Sequence, residues 1–146
     1  MHSDPNALSI LRALFAMGLL SLAMATWMGV TRLLAMRRAG VPLQDGAHTV
    51  HLREVLPSSV TRVADNYNHL FEAPTLFYAV ALASVLAGIA DPVQAASAWA
   101  FFAFRLLHSL VQATINRVWL RALLFELSWV ALAIMIVRGA LALWRM

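Results

Sequence analysis

The chain has 146 residues, of which 62% are apolar and only 12% charged, and its mean hydropathy is +0.74. A soluble domain averages roughly 45–50% apolar and 25% charged, so the composition excludes an ordinary soluble protein and predicts one membrane-embedded domain. The net charge is +4, and all eleven basic residues are arginines; they stand at the ends of apolar runs without the basic stripe that nucleic-acid binding needs, and the absence of cysteine excludes disulfides and thiolate metal or catalytic sites.

Met1–Asn6 is a short polar start in which Ser3 or Asp4 can cap a helix with Pro5 at its first position. A first helix is expected over about 8–37. Its uncharged interval, Ala13–Thr31, has about the 20 residues that cross a bilayer. A cleavable leader is the competing reading, because Ala23-Met24-Ala25 resembles a small-residue cleavage site, but the apolar run continues past it. Arg37 and Arg38 close this helix, and Gly40, Pro42 and Gly46 break it.

Residues 40–57 read as a polar connection carrying Asp45, His48, His51, Arg53 and Glu54. It is long for a structureless link, which points to a binding loop or a partly ordered cap. Its histidines read as solvated. A second helix is expected over 59–88. Pro74 removes a backbone donor and predicts a kink near Leu70. Ala79, Ala83 and Ala87 recur every fourth residue and form a small-residue face suited to close helix packing in lipid.

Asp91-Pro92 supplies the N-cap and first position of a third helix, 92–115. A fourth is expected over 119–144. Trp99, Trp119 and Trp144 fall near helix ends, where amphipathic rings favour the interface. The fold expected is therefore an all-α transmembrane four-helix bundle. Arginines flank the first and third connections and none flanks the second. The positive-inside rule then puts those two connections in the cytoplasm and both termini on the other side.

Polar residues inside the second and third helices stand out, because such groups are costly in hydrocarbon and tend to mark function. Arg62, Asn66 and His69 share one helical face. Asp65, Asn68 or His69, and Glu72 share an adjacent one. On the third helix Arg105, His108 and Gln112 fall on one face. Both stripes lie toward the same membrane side, with Arg117 and Arg121 at the mouth. Arginines suit carboxylates, Asn66, Asn68 and Gln112 suit amides, and Asp65 or Glu72 suits an ammonium. The competing reading is that the charged groups only join helices. His69-x-x-Glu72 with His108 has the ingredients of a metal site but not the usual paired order, so no metal is expected. There is no hydrolase constellation and no phosphate-cradling glycine loop.

Arg62-x-x-x-Asn66, the segment from Asn68 through Glu72 to Pro74, Arg105-x-x-His108 and Arg121, set on four spans, resemble the MAPEG family, the membrane-associated proteins of eicosanoid and glutathione metabolism. The segment DNYNHLFEAPTLFY is most like a bacterial branch, which implies a bacterial inner membrane. The resemblance implies a homotrimer with glutathione as cosubstrate between subunits near the cytoplasmic face, and a lipophilic small molecule as its reaction partner. It assigns glutathione binding to Arg62 and Asn66, with His69 where the family has a glutamate. Aligning on Pro74 instead assigns the asparagine position to Asn68 and displaces the acid to Glu72. Arg121 corresponds to the thiol-activating arginine. His108 and Gln112 stand where the glutathione-binding enzymes have tyrosines. Two functions follow: a glutathione-dependent transferase or peroxidase acting on lipophilic electrophiles, or a lipid- or amphiphile-binding membrane protein on the same scaffold. A transporter lacks the through-path of polar groups.

Overall fold

The computed structural model describes residues 4–47 and 49–145, and among them every regular element is helical. Helix α1 spans Pro5–Ala39. Asp4 caps it by accepting the Asn6 N–H at 2.9 Å, and Gly40 ends it at φ +66°, a left-handed conformation that costs glycine nothing. At 35 residues and ~1.5 Å each, α1 is longer than the hydrocarbon core. Its last two turns therefore lie beyond it.

The polar connection is more ordered than a loop. It forms a 3-10 turn, Leu43–Ala47, and a short helix α2, Thr49–Val55. Leu52 and Leu56, one turn apart, pack with Met36 as a small cluster against the end of α1, and that apolar edge is why the segment folds down. His48 and the side chain of His51, expected to be solvated, lie outside the described residues.

The expected second helix is two helices, α3 over Ser58–His69 and α4 over Ala73–Leu86. The break falls where Pro74 predicts it. Pro74 has no N–H for the carbonyl of Leu70, and the chain tightens just ahead of it: Leu70 N–H bonds Tyr67 O at 3.1 Å and Phe71 N–H bonds Asn68 O at 3.0 Å. Helix α5 runs over Pro92–Ala113 and α6 over Val118–Leu143.

Three helical stretches, Pro5–Ala39, Ser58–Leu86 and Val118–Leu143, are long and apolar enough to cross a membrane. Helix α5 has the length, at 22 residues, but does not join them. Its buried face carries Gln94, Ser97, Arg105, His108, Ser109 and Gln112, so it hides polarity inside the protein instead of presenting apolar surface all round.

Helix α5 packs on α6, α1 and α3, and α1 also packs on α3 and α4. Phe77 of α4 stacks on Phe101 of α5 with ring centroids 4.5 Å apart, and His69 of α3 meets His108 of α5 edge-on at 6.3 Å. Later residues of one chain segment thus face earlier residues of the other, so α5 runs antiparallel to α3 and α4. The same holds for α5 and α6. Arg138 donates to Asp91 at one end of that pair, Gln94 Nε2 donates to Met135 O, and His108 Nδ1 meets Arg121 O at the other end. Ile10, Ala13, Met17, Leu132 and Met135 fill the centre. The small-residue face lies outside this packing: Ala79 and Ala83 are exposed while Phe77, Ala81 and Ser84 turn inward.

Asp91 ties three features together. Its carboxylate accepts the N–H groups of Val93 at 2.7 Å and Gln94 at 2.8 Å and the guanidinium of Arg138. The Arg138 hydrogen bond holds its pKa below the usual 3.8, opposed by partial burial and reinforced by the two backbone N–H groups. An Asp91→Ala protein is expected to lose about 1 kcal/mol of stability, read as a lower thermal midpoint in detergent. Because the folded-state pKa is depressed, Asp91's contribution is present above pH ~4 and is lost as pH falls through the folded value. The wild-type and Asp91→Ala melting curves should therefore converge only in strong acid.

Candidate functional site

The polar residues of α3, α5 and α6 meet at the end of the molecule covered by α2. Asp65, Asn68 and His69 of α3 face Gln112 of α5 and Arg121 of α6, with Arg53 of α2 above them, around a cavity of about 250 Å³. A second cavity of about 200 Å³ lies between α1, α2 and α3 and reaches Arg32. Arg53, Asp65 and Asn68 line both. The ion pair of Arg53 with Asp65 therefore stands as a bridge between two halves of one cleft.

Arg53 reaches this position because the Leu52–Leu56 edge of α2 is pinned to Met36, which turns the intervening arginine toward α3. Arg121 is held from the other side. Asn116 sits in a left-handed conformation, φ 49°, tolerable for asparagine, and its Oδ1 accepts from Arg121 Nη1 at 2.9 Å. One guanidinium donor is thereby used, leaving the remaining donors of a five-donor group. Cations outnumber acids along the cleft: Arg32, Arg53 and Arg121 against Asp65. Its field favours an anion.

Behind the cleft lies a second polar layer that the cavity does not reach. Arg105 is completely buried. Its guanidinium carbon lies 4.8 Å from the Phe125 ring centroid and 5.6 Å from that of Phe101, and its Nε, Nη1 and Nη2 have no acceptor among the described residues. Both amide atoms of Asn66, the Oγ of Ser109 and the Nε of Arg62 are likewise buried without a partner. Such groups cost about 1–3 kcal/mol each, and more when charged. In the antiparallel register, the break carrying Glu72 falls between the His69–His108 and Phe77–Phe101 contacts, at the depth of Arg105. The Glu72 carboxylate instead accepts from His69 Nδ1 at 3.0 Å and is half exposed.

His108 sits between the layers. The carbonyl of Arg121, 2.8 Å from Nδ1, can only accept, so Nδ1 carries a proton. Nε2 is 2.8 Å from the Gln112 amide. A neutral ring accepts from that amide's N–H group, and a protonated ring donates to its oxygen. Either way both ring nitrogens are engaged by the protein, and the pair fastens α5 to α6.

The structure thus divides the residues singled out by sequence. Asn68, His69, Gln112 and Arg121 line the cleft. Asn66 and Arg105 lie buried behind it, with Arg62 partly buried. His108 bonds Gln112 and α6, and Glu72 bonds His69. Of the two helix registers, the one aligned on Pro74 has its asparagine, Asn68, in the cleft. Arg53 is the cleft residue that sequence reasoning left in a loop. The signal available for it was Leu52 and Leu56 at helical spacing around a lone cation, with an unpaired Asp65 on the next helix.

A model of the MAPEG family matches residues 10–141. No curated protein and no solved structure matches the chain.

An unpaired buried cation is expected to be a stability liability unless a ligand or partner answers it. In the ligand-free protein, Arg105→Met should raise unfolding free energy by about 1–4 kcal/mol, as replacing buried charge by apolar volume does elsewhere. Arg105→Ala, which empties the space between Phe101 and Phe125, should lower it. Thermal unfolding of both variants in detergent measures the contrast.

Proposed function

Because the chain belongs to the MAPEG family, we propose that it is an integral membrane enzyme of glutathione chemistry, a transferase or peroxidase acting on lipophilic electrophiles. The observation that carries this reading is the net positive cleft of Arg53, Arg121 and Asp65, backed by the buried and unanswered Arg105. Glutathione has two carboxylates, an ammonium, two amides and a thiol. The cleft offers a counterpart to most of these: Arg53 and Arg121 for carboxylates, Asn68 and Gln112 for amides, and Asp65 for the ammonium. When bound, glutathione would supply the sulfur nucleophile. Arg121 is the cleft cation best suited to favour its thiolate, because Asn116 holds the guanidinium in place and leaves donors free. At the two positions on α5 where the resemblance expects tyrosines, the chain carries His108 and Gln112, so this role falls to charge.

The two parts of the cleft, about 250 and 200 Å³, each fall below the ~300 Å³ at which small-molecule sites begin, so a ligand of glutathione's size must span both. A second copy of the chain would supply the missing wall, and the exposed Ala79 and Ala83 offer a face for close approach. Both support a homotrimer of four-helix bundles, with α5 as the fourth span and its apolarity supplemented by neighbours. Arg37, Arg38, Arg53, Arg117 and Arg121 support a cytoplasmic placement of the cleft in a bacterial inner membrane, with both termini on the opposite side.

One observation favours the second reading, a lipid- or amphiphile-binding protein on the same scaffold. His108 spends both ring nitrogens on the Arg121 carbonyl and Gln112, and not on the cleft. Calorimetry with detergent-solubilised protein separates the two. Glutathione is expected to bind, and Arg121→Ala to weaken it by tenfold or more, the usual worth of a charge-assisted contact. No binding at millimolar glutathione sinks the first reading, and an amphiphile found by mass spectrometry of the purified protein would then favour the second.

A further inference from the structure

We infer that the end of α1 carrying Arg37 and Arg38 holds an anionic phospholipid, in a groove separate from the cleft. The groove has a volume of about 460 Å³ and runs between one face of α1 and the α2–α3 junction. Leu34 and Ala35 form one wall and Val55 and Val60 the other, with Arg38 and Ser59 among them. Leu34 and Val55 remain 45% and 56% exposed, so the chain itself leaves this apolar channel open.

Depth identifies what faces it. The uncharged interval Ala13–Thr31 covers about 28 Å at ~1.5 Å per residue, close to the ~30 Å hydrocarbon thickness. The groove begins at Thr31 and continues through Ala39, so it lies in the headgroup layer with its lower end open to acyl chains. A lipid has the matching anatomy: tails along Leu34 and Val60, glycerol ester beside Ser59, and phosphate at Arg38. Charge selects among lipids. Among the described residues, the ion pairs are Arg53–Asp65, His69–Glu72 and Arg138–Asp91. Arg37 and Arg38 take part in none. Their charge, added to the negative end of the α1 dipole only four residues long in reach, exceeds what the helix terminus needs. A headgroup with net negative charge answers Arg38, the arginine that lines the groove, whereas a zwitterionic one brings its own cation. The groove shares Val60 with the second part of the cleft but not Arg38, Leu34, Val55 or Ser59, so its anion-binding end stands whether or not glutathione binds.

The test uses full-length protein in mild detergent, titrated with dioleoyl phosphatidylglycerol or dioleoyl phosphatidylcholine and read by native mass spectrometry and thermal unfolding. One phosphatidylglycerol per chain should persist under activation that strips phosphatidylcholine, and phosphatidylglycerol should raise the melting midpoint. Arg38→Ala should weaken retention about fivefold, the worth of one arginine at an anionic surface, and Arg38→Lys should restore most of it. Leu34→Trp, at an exposed position, should block the groove. Arg12→Ala, at the other end of α1, should change nothing. Equal retention of both lipids with Arg38→Ala unaffected would overturn the inference. So would a Leu34→Trp protein that changes oligomeric state while keeping its lipid, because a second copy of the chain would then be the occupant.

Discussion

A guanidinium taken out of water and set between two phenylalanine rings is the constraint on which the rest of this structure turns. Burying an ion costs several kcal/mol even after relaxation, and contact with aromatic faces returns only about 0.5–2 kcal/mol. Arg105 lies close to the Phe101 and Phe125 rings and has no acceptor for its N–H groups among the described residues. The amphipathic character of α5 follows. A helix that must hide Arg105, His108, Ser109 and Gln112 cannot also be among the most apolar in the chain, so α1 and α6 present the lipid-facing surface and α5 turns its polar stripe inward.

The neighbouring helix is broken at the depth of the same cation. Pro74 ends the regular bonding of α3, and the three residues between α3 and α4 include Glu72, the acid at the level of Arg105. In an unbroken helix Glu72 would have a fixed direction. At the break, with φ −90° and ψ −101°, it turns to His69 and partly to solvent. The carboxylate is thus close in depth to the buried cation without being committed to it. An incoming anion competes with Glu72 for Arg105 less than it would with a formed ion pair, and that leaves the cation's field available to the cleft.

Much of the fold was legible in the sequence because its determinants are local. Uncharged stretches marked α1 and α6, Asp4 and Asp91 marked helix starts, and Pro74 marked the break. The parts that were not legible are tertiary. Helix α2 has only seven residues, too short to show a period, and it forms because Leu52 and Leu56 find Met36. Whether a polar residue lines the cleft or lies behind it depends on helix rotation by a fraction of a turn. Asn66 and Asn68 differ by two positions, yet one is fully buried and the other exposed. His108 shares its face with Gln112, which sequence spacing does show. That the two bond each other and the Arg121 carbonyl depends on how α6 docks.

This docking also connects the site to the rigidity of the whole. Helices α5 and α6 are tied at both ends, by Arg138 on Asp91 and by His108 on the Arg121 carbonyl, with Gln94 on Met135 between them and the first of these. On the α3 and α2 side, Leu52 and Leu56 pack on Met36, and the polar tie between the two helices is the exposed Arg53–Asp65 pair, of a kind that contributes only about 0–1 kcal/mol. The wall bearing Arg121 is thus tied by hydrogen bonds at both ends, whereas Asp65 on the facing wall is tied to α2 by that weak pair. Under the proposed function, a glutathione carboxylate that took Arg53 from Asp65 would exchange one ion pair for another at little net cost, without disturbing the α5–α6 hydrogen bonds beside Arg121.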